Sequence, residues 1–406
     1  MLWRVLRLTR RLIWGLAVLG FTAQLALAQP IATGVRTGQN AGFTRFVLDL
    51  NLPVTWRIFP LADPDRLVID LPEIEFRVPA VRPGSTRGLI AGLRFGQFRA
   101  GQSRIVLDLK QPATLMKAFL LPPKDGYGYR LVIDLVPVDR ARFLADVRSS
   151  RALAARQNRP RPGTEAPVPV ARPRHATRKI IVIDPGHGGV DPGTTGRAGT
   201  VEKAVTLGVG RALRDRLKAT GRYRVVMTRD RDVFVSLRNR VRIGRRVGAD
   251  LLISIHADAI RQHNVRGATV YTLSEAASDK EAAALAAKEN RADAIAGVDL
   301  AEESDEVASI LIDLAQRESM NRSAHFAQAL LPELAQRTRL RTNSHRFAGF
   351  RVLKAPDVPS VLVELGYLSN AKDEALMRSA AGRRRLAEAI AEAIDSYFAA
   401  PLTSRP

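Results

Sequence analysis

The sequence contains no cysteine. That removes thiol nucleophiles, disulfide staples and thiolate-bound metal, so any metal must be held by histidine and carboxylate. Histidine is scarce too, six in 406 residues, and acidic residues are outnumbered, 40 Asp and Glu against 63 Lys and Arg. The formal charge of +23 favours an anionic partner: nucleic acid, a membrane surface or an acidic polymer. Aromatic residues make up only 6% of the chain, with no interleaved aromatic–basic platform for stacking bases, which weighs against nucleic acid.

What is present begins with "MLWRVLRLTRRLIWGLAVLGFTAQLALAQP". Arg4, Arg7, Arg10 and Arg11 precede an apolar run from Leu12 to Leu27, which ends in the small-x-small signal Ala26-Leu27-Ala28. Residues 1–28 read as a secretory signal peptide cut after Ala28, with an uncleaved anchor as the alternative. Thr9-Arg10-Arg11 loosely fits a twin-arginine signal, so the Sec and twin-arginine routes both stay open. Export predicts a periplasmic location. It leaves cell-wall polymer and lipid headgroups as the anionic partners.

Residues 31–137 read as all-β. "FVLDL" at 46–50 returns as "IVLDL" at 105–109, and "RLVIDL" at 66–71 returns at 130–135, about 60 residues on. Such a duplication predicts two similar halves packed as a β-sandwich. Asp49, Asp70, Asp108 and Asp134 recur at matching places. They read as solvent-facing or strand-end residues, with a metal site as the alternative. The duplicated strands resemble the AMIN domain, a module of exported envelope proteins, and that resemblance implies targeting to peptidoglycan. Residues 138–178, rich in Arg, Pro and Ala, read as a short helix near 139–156 and then an extended linker.

From residue 179 to about 400, strands alternate with helices. This predicts an α/β catalytic domain with a mostly parallel central sheet flanked by helices. Thr200 is expected to cap a helix running to Ala219 and closed by Gly221, and 371–398 are expected to form one last helix. In such a sheet ligands gather at the carboxyl ends of strands. "IIVIDPGH" delivers His187, "LLISIH" delivers His256 and "SVLVE" delivers Glu364, while Glu202 opens the helix after Thr200. His187, Glu202 and His256 suit three zinc ligands, and Glu364 suits the carboxylate that moves the proton of water to a leaving nitrogen. His345 is a candidate for substrate binding or a plain surface residue; His175, His263 and His325 carry no assignment.

The segments "IVIDPGHGGVDPG", "EK" at 202–203, "SIHADA" at 254–259 and "VPSVLVELGYLSN" at 358–370 resemble the zinc-dependent N-acetylmuramoyl-L-alanine amidases. The resemblance implies one Zn2+ on His187, Glu202 and His256, with Glu364 catalytic. It also implies hydrolysis of the amide between N-acetylmuramic acid and L-alanine in peptidoglycan. A catalytically inactive, peptidoglycan-binding adaptor is the alternative, and the chain is expected to act as a monomer.

Between Leu273 and a helix near 319 lies an Ala-rich helical insertion, about 275–318, longer than a connection needs. With an AMIN module in front, the arrangement resembles the amidases that separate daughter cells. That implies an autoinhibitory helix over the zinc, displaced by an activator with a LytM-type domain. Glu281 and Glu289 are the candidate blocking carboxylates, with Glu289 preferred.

Overall fold

A computed structural model describes residues 29–79, 84–157, 178–299 and 310–399. The expected signal peptide, most of the expected linker and residues 300–309 of the insertion lie outside the described residues. Among the described residues, no helix is long and apolar enough to cross a membrane.

The first part of the chain runs β1 (Ile31–Asn40), β2 (Phe43–Leu50), β3 (Arg57–Leu61), β4 (Arg66–Pro72), β5 (Glu75–Phe76), β6 (Ile90–Arg99), β7 (Gln102–Leu109), β8 (Ala113–Leu121) and β9 (Tyr129–Pro137), then α1 (Arg140–Gln157). The strands form two sheets, ordered β5-β1-β2-β9-β8 and β3-β4-β7-β6. All pairings are antiparallel except β5 on β1. The duplication therefore folds with an exchange. The hairpin β1–β2 from the first repeat joins β8–β9 from the second, and β3–β4 joins β6–β7. Alternation does the sorting: Phe46, Leu48 and Leu50 point inward from β2 and meet Ile105, Leu107, Ile69 and Ile133 in one shared core.

The recurring aspartates correct the sequence reading in part. Each takes an arginine from the neighbouring strand. Arg36 pairs with Asp49 at 2.5 Å, and Arg94 with Asp108 at 2.7 Å. Arg45 grips Asp134 at 2.7 and 2.9 Å, and Arg104 grips Asp70 at 2.6 and 2.9 Å. Asp134 is fully buried. The repeat extends to the glycines opposite: a Cβ on Gly34 or Gly92 would lie 2.7 or 2.8 Å from the carboxylate of Asp49 or Asp108. All four are cross-strand ion-pair partners; Asp49 and Asp108 are also partly exposed and next to last in their strands, as expected, whereas Asp134 is buried.

The second part adds β10 (Lys179–Pro185), α2 (Glu202–Ala219), β11 (Tyr223–Met227), α3 (Leu237–Arg246), β12 (Leu251–His256), β13 (Ala268–Leu273), α4 (Lys280–Glu289), α5 (Ala292–Ile295), α6 (Ile310–Arg337), β14 (Leu340–Ala348), β15 (Ser360–Glu364), α7 (Ala371–Arg378) and α8 (Ala380–Ala399). The sheet order is β11-β10-β12-β15-β13-β14, parallel except where β13 meets β15. Strands β12, β13 and β15 are buried at every position, and β10 at all but its first. That is the continuous apolar pattern of strands covered on both faces. Helices α2, α6 and α8 pack Val209, Leu213, Phe326, Leu330, Ile390 and Ile394 against one face.

Three boundaries differ from expectation. Helix α2 starts at Glu202, and Val201 rather than Thr200 holds the cap position, because the Glu202 N–H is already satisfied by the Thr194 carbonyl at 2.8 Å. The last helix is two helices, broken at an extended Ser379 whose Oγ accepts the Gly382 N–H at 2.9 Å. Helix α6 is already under way at Ile310.

The two parts touch. Phe234 stacks on Phe98 with ring centroids 5.7 Å apart, and its N–H donates to the Gln97 carbonyl at 3.2 Å. Three arginines of neighbouring strands reach the end of α5. Arg66 donates to the Ala294 carbonyl, Arg94 to Ile295 at 3.2 Å, and Arg104 to Ala296 and Gly297 at 3.3 and 2.6 Å. Cationic side chains there satisfy carbonyls that a helix end leaves without partners.

Candidate metal centre

Strands β10, β12 and β15 run parallel and end level, so the groups just past their carboxyl ends meet. His256 and Glu364 are register partners, and His187 lies two residues beyond β10. His187 has φ +60°, in the left-handed region that non-glycine residues seldom adopt. The loop is held in that shape by Arg240, which donates to the Pro185 and His187 carbonyls at 2.7 and 2.8 Å while paired with buried Asp184 at 2.7 Å. Such strain persists only where the surroundings over-determine it. The glycine before it is required by packing: a Cβ on Gly186 would lie 2.5 Å from the His256 ring.

Four ligand atoms converge. His187 Nε2 lies 3.1 Å from Glu202 Oε1 and 3.4 Å from Glu289 Oε2. His256 Nδ1 lies 3.3 Å from each of the same two oxygens. Both ring nitrogens are buried without a hydrogen-bond partner. A tetrahedral ion with bonds near 2.0–2.1 Å requires ligand atoms about 3.3 Å apart, so the spacing fits a zinc-sized ion. Among the described residues, His187, His256 and Glu289 form the one tight metal-competent group of three. Glu202 belongs beside them on distance, although it also accepts the Ala257 and Thr194 N–H groups, each at 2.9 Å. Those two bonds aim its carboxylate at the imidazoles.

Charge balance argues the same way. Burial would depress the His187 pKa, but Glu202, Asp191 and Glu289 outweigh it and hold it well above the usual value. Glu202 is driven the other way: burial is overcome by His187 and His256, and its pKa falls well below the usual range. Burial and the neighbouring Asp258, Glu202 and Glu289 push Glu364 well up, and burial raises Glu289. Buried carboxylates that repel one another beside two imidazoles are the surroundings a divalent cation relieves.

The structure thus brings His187, Glu202, His256 and Glu289 together and sets Glu364 beside them. One Glu364 oxygen accepts the Asp258 N–H at 2.9 Å, and the other is buried without a partner. Glu281 is elsewhere, bound to Arg341 and Tyr367. His345 meets Thr272 at 3.1 Å. Two contributors were missed in the sequence. Asp191 takes His187 Nδ1 at 2.9 Å and so leaves Nε2 free to face the cluster. Its place four residues after His187 in one glycine-rich loop was the available signal. Lys288, beside Glu289, reaches Asp258 and donates to Thr194 Oγ1 at 2.9 Å; nothing in the sequence pointed to it.

Comparison with known proteins adds the following. A family model described as N-acetylmuramoyl-L-alanine amidase (Amidase_3) matches residues 181–396, and the AMIN domain model matches residues 32–135. The chain is similar to N-acetylmuramoyl-L-alanine amidase AmiC of Neisseria meningitidis, 34% identical over 414 residues, with 97% of this chain and 96% of that protein covered. AmiC of Escherichia coli is 34% identical over 386 residues, covering 92% and 90% of the two chains. AmiA of Escherichia coli is 39% identical over 222 residues, covering 54% of this chain and 76% of that protein.

Proposed function

The chain belongs to the N-acetylmuramoyl-L-alanine amidases of the Amidase_3 family and carries an AMIN domain, and from that premise we propose a zinc hydrolase in a self-blocked state. His187, Glu202 and His256 are the zinc ligands, and Glu289 occupies the fourth position. The substrate is peptidoglycan, cut at the amide between N-acetylmuramic acid and L-alanine. Zinc in that position supplies Lewis acidity, which acidifies water towards neutral pH and polarises a carbonyl.

The protein's own groups do the rest. Glu364 takes the proton of the attacking water and returns it to the leaving nitrogen. Its unpartnered oxygen, and a pKa held up by burial and by Asp258, suit a group that must both accept and donate a proton. The glycine-rich loop at 186–189 holds His187 at the sheet edge, and Asp191 fixes its tautomer.

One observation carries the blocked state: Glu289 Oε2 stands 3.3–3.4 Å from both imidazole nitrogens, where substrate would have to enter. A cavity beside the cluster, lined by His187, His256, Glu289 and Phe350 among others, has a volume of about 10 Å³, room for one water at most. Lys288 ties the same turn of α4 to Asp258. A displaceable helix fits an enzyme exported to the periplasm, targeted to the wall by its AMIN domain and active in daughter-cell separation. The family resemblance supplies the releasing partner, an activator with a LytM-type domain.

The test is Glu289→Ala. Release of stem peptides from purified sacculi should rise about tenfold or more with zinc content unchanged, since removing a blocking contact shifts a closed population. An unchanged rate would remove the blocking role.

A further inference from the structure

Glu281 sits eight residues before Glu289 on α4, about 12 Å along the helix. Its partly exposed carboxylate is held by side chains of β14 and of the turn after β15. Arg341 donates to its two oxygens at 2.9 and 3.2 Å, Arg346 pairs with it at 3.1 Å and the Tyr367 hydroxyl donates at 3.2 Å. Arg346 is 6% exposed. The pocket has capacity to spare: Arg341 Nε and the Tyr271 hydroxyl are buried without hydrogen-bond partners.

The convergence is built. Residues five apart on a regular strand face opposite ways. Between Ala268 and Val270 of β13 the register on β14 jumps from Leu340 to His345, and this irregularity lets Arg341 and Arg346 share one carboxylate. The pocket also has a fixed relation to the catalytic carboxylate. Tyr367 follows Glu364 by three residues, and Arg346 pairs with Tyr271, which pairs with Leu362 two residues before Glu364. The two arginines therefore lie on the Glu364 side of the centre.

That side has a chemical identity. Glu364 protonates the leaving nitrogen, and the leaving nitrogen belongs to the peptide. The muramic acid carboxyl is consumed in the amide, so the free carboxylates of this substrate lie on its peptide. We propose that Arg341, Arg346 and Tyr367 form an anionic subsite for a stem-peptide carboxylate, and that Glu281 fills it while α4 lies in the cleft. At about 3.3–3.6 Å per extended residue, 12 Å reaches roughly three residues into the peptide. Helix α4 then imitates the substrate twice, with Glu289 at the metal centre and Glu281 in the carboxylate pocket. The proposal rests on α4 being the blocking helix.

The experiment uses the full-length, zinc-loaded chain carrying Glu289→Ala. The probes are two N-acetylmuramoyl tetrapeptides, one with free carboxylates and one with the same groups amidated. Adding Arg346→Met or Arg341→Met should raise KM for the free acid about 10- to 100-fold, the range for a hydrogen bond to a charged group, and leave the amidated probe unmoved. The kcat should stay within about twofold, since binding away from the reacting atoms is uniform. Arg346→Lys should recover part of the preference. Equal losses on both probes, or no loss on either, would overturn the subsite. The less buried Arg341 provides the readout should Arg346→Met fail to fold. A Glu289→Ala chain no faster than the native one would sink the blocking helix alone. The probe ratio, measured in the native chain with the same arginine substitutions, would still decide the subsite.

Discussion

Both parts of the molecule bury charge, and they treat it in opposite ways. In the sandwich, the four repeated aspartates each meet an arginine, at 2.5–2.9 Å, and Asp134 is inaccessible yet fully bonded. At the sheet edge, His187, His256, Glu289 and Glu364 each keep a buried polar atom with no partner. Unpaired buried polar atoms cost free energy, so a fold keeps a cluster of them where something else will bind. Between these two sets of groups it is pairing, not burial, that differs.

The largest effect that would break this contrast comes from Glu364→Ala. Losing a group that moves the proton should cut stem-peptide release about a hundred- to ten-thousand-fold. Zinc content, measured on the same sample, should not fall. If zinc left with the side chain, Glu364 would belong among the ligands and the division of roles would be wrong.

The sandwich side breaks differently. Asp134→Asn leaves the partly exposed Arg45 beside a neutral amide and should cost about 1–2 kcal/mol in urea unfolding, whereas replacing both, Arg45→Met with Asp134→Leu, should cost less. A double variant as damaged as the single one would mean the pair does more than satisfy itself. The same carboxylate gives a pH dependence. The Arg45 hydrogen bond holds Asp134 below its usual pKa, so its contribution is complete above the unfolded value near pH 3.9 and fades as pH falls through the lower folded value. Asp134→Asn should flatten the stability profile in that acid window alone.

A smaller effect tests the contact between the parts. Arg66, 2% exposed, donates to the Ala294 carbonyl just beyond α4, with Arg94 and Arg104 on the next three carbonyls. Arg66→Ala should loosen that anchor and raise basal release from sacculi a few-fold, about 1 kcal/mol of the closed state. The smallest effect concerns Glu289 in metal-free protein. Burial raises its pKa, so its charged form is disfavoured in the fold at neutral pH, and Glu289→Gln should raise the Tm slightly in chelator. With zinc bound, the same change should lower it.

These contrasts were unevenly legible in the sequence. The α/β alternation and the duplicated strands could be read because their apolar periods are strong. The strand ends carrying His187, His256 and Glu364 could be read because parallel strands place their ends together. The partners of the repeated aspartates could not, since Arg45 and Asp134 are 89 residues apart. Strand β14 was missed because "RTNSHRF" is polar, irregular in register and at the sheet edge. The break at Ser379 carries no proline, and its glycine, Gly382, lies three residues on, where a Cβ would sit 1.9 Å from the Leu376 carbonyl oxygen. Glu281 and Glu289 were hard to separate because each lies on the same short helix, and only packing puts one at the centre and the other against β14.

The central claim is that the unpaired groups at the sheet edge are a zinc centre closed by Glu289. Anomalous diffraction at the zinc edge from zinc-loaded crystals of the native chain tests it directly. The account predicts one peak, about 2.0–2.2 Å from His187 Nε2, His256 Nδ1, Glu202 Oε1 and Glu289 Oε2. A peak on another set of residues, or a zinc site from which Glu289 has withdrawn in the resting chain, would contradict it.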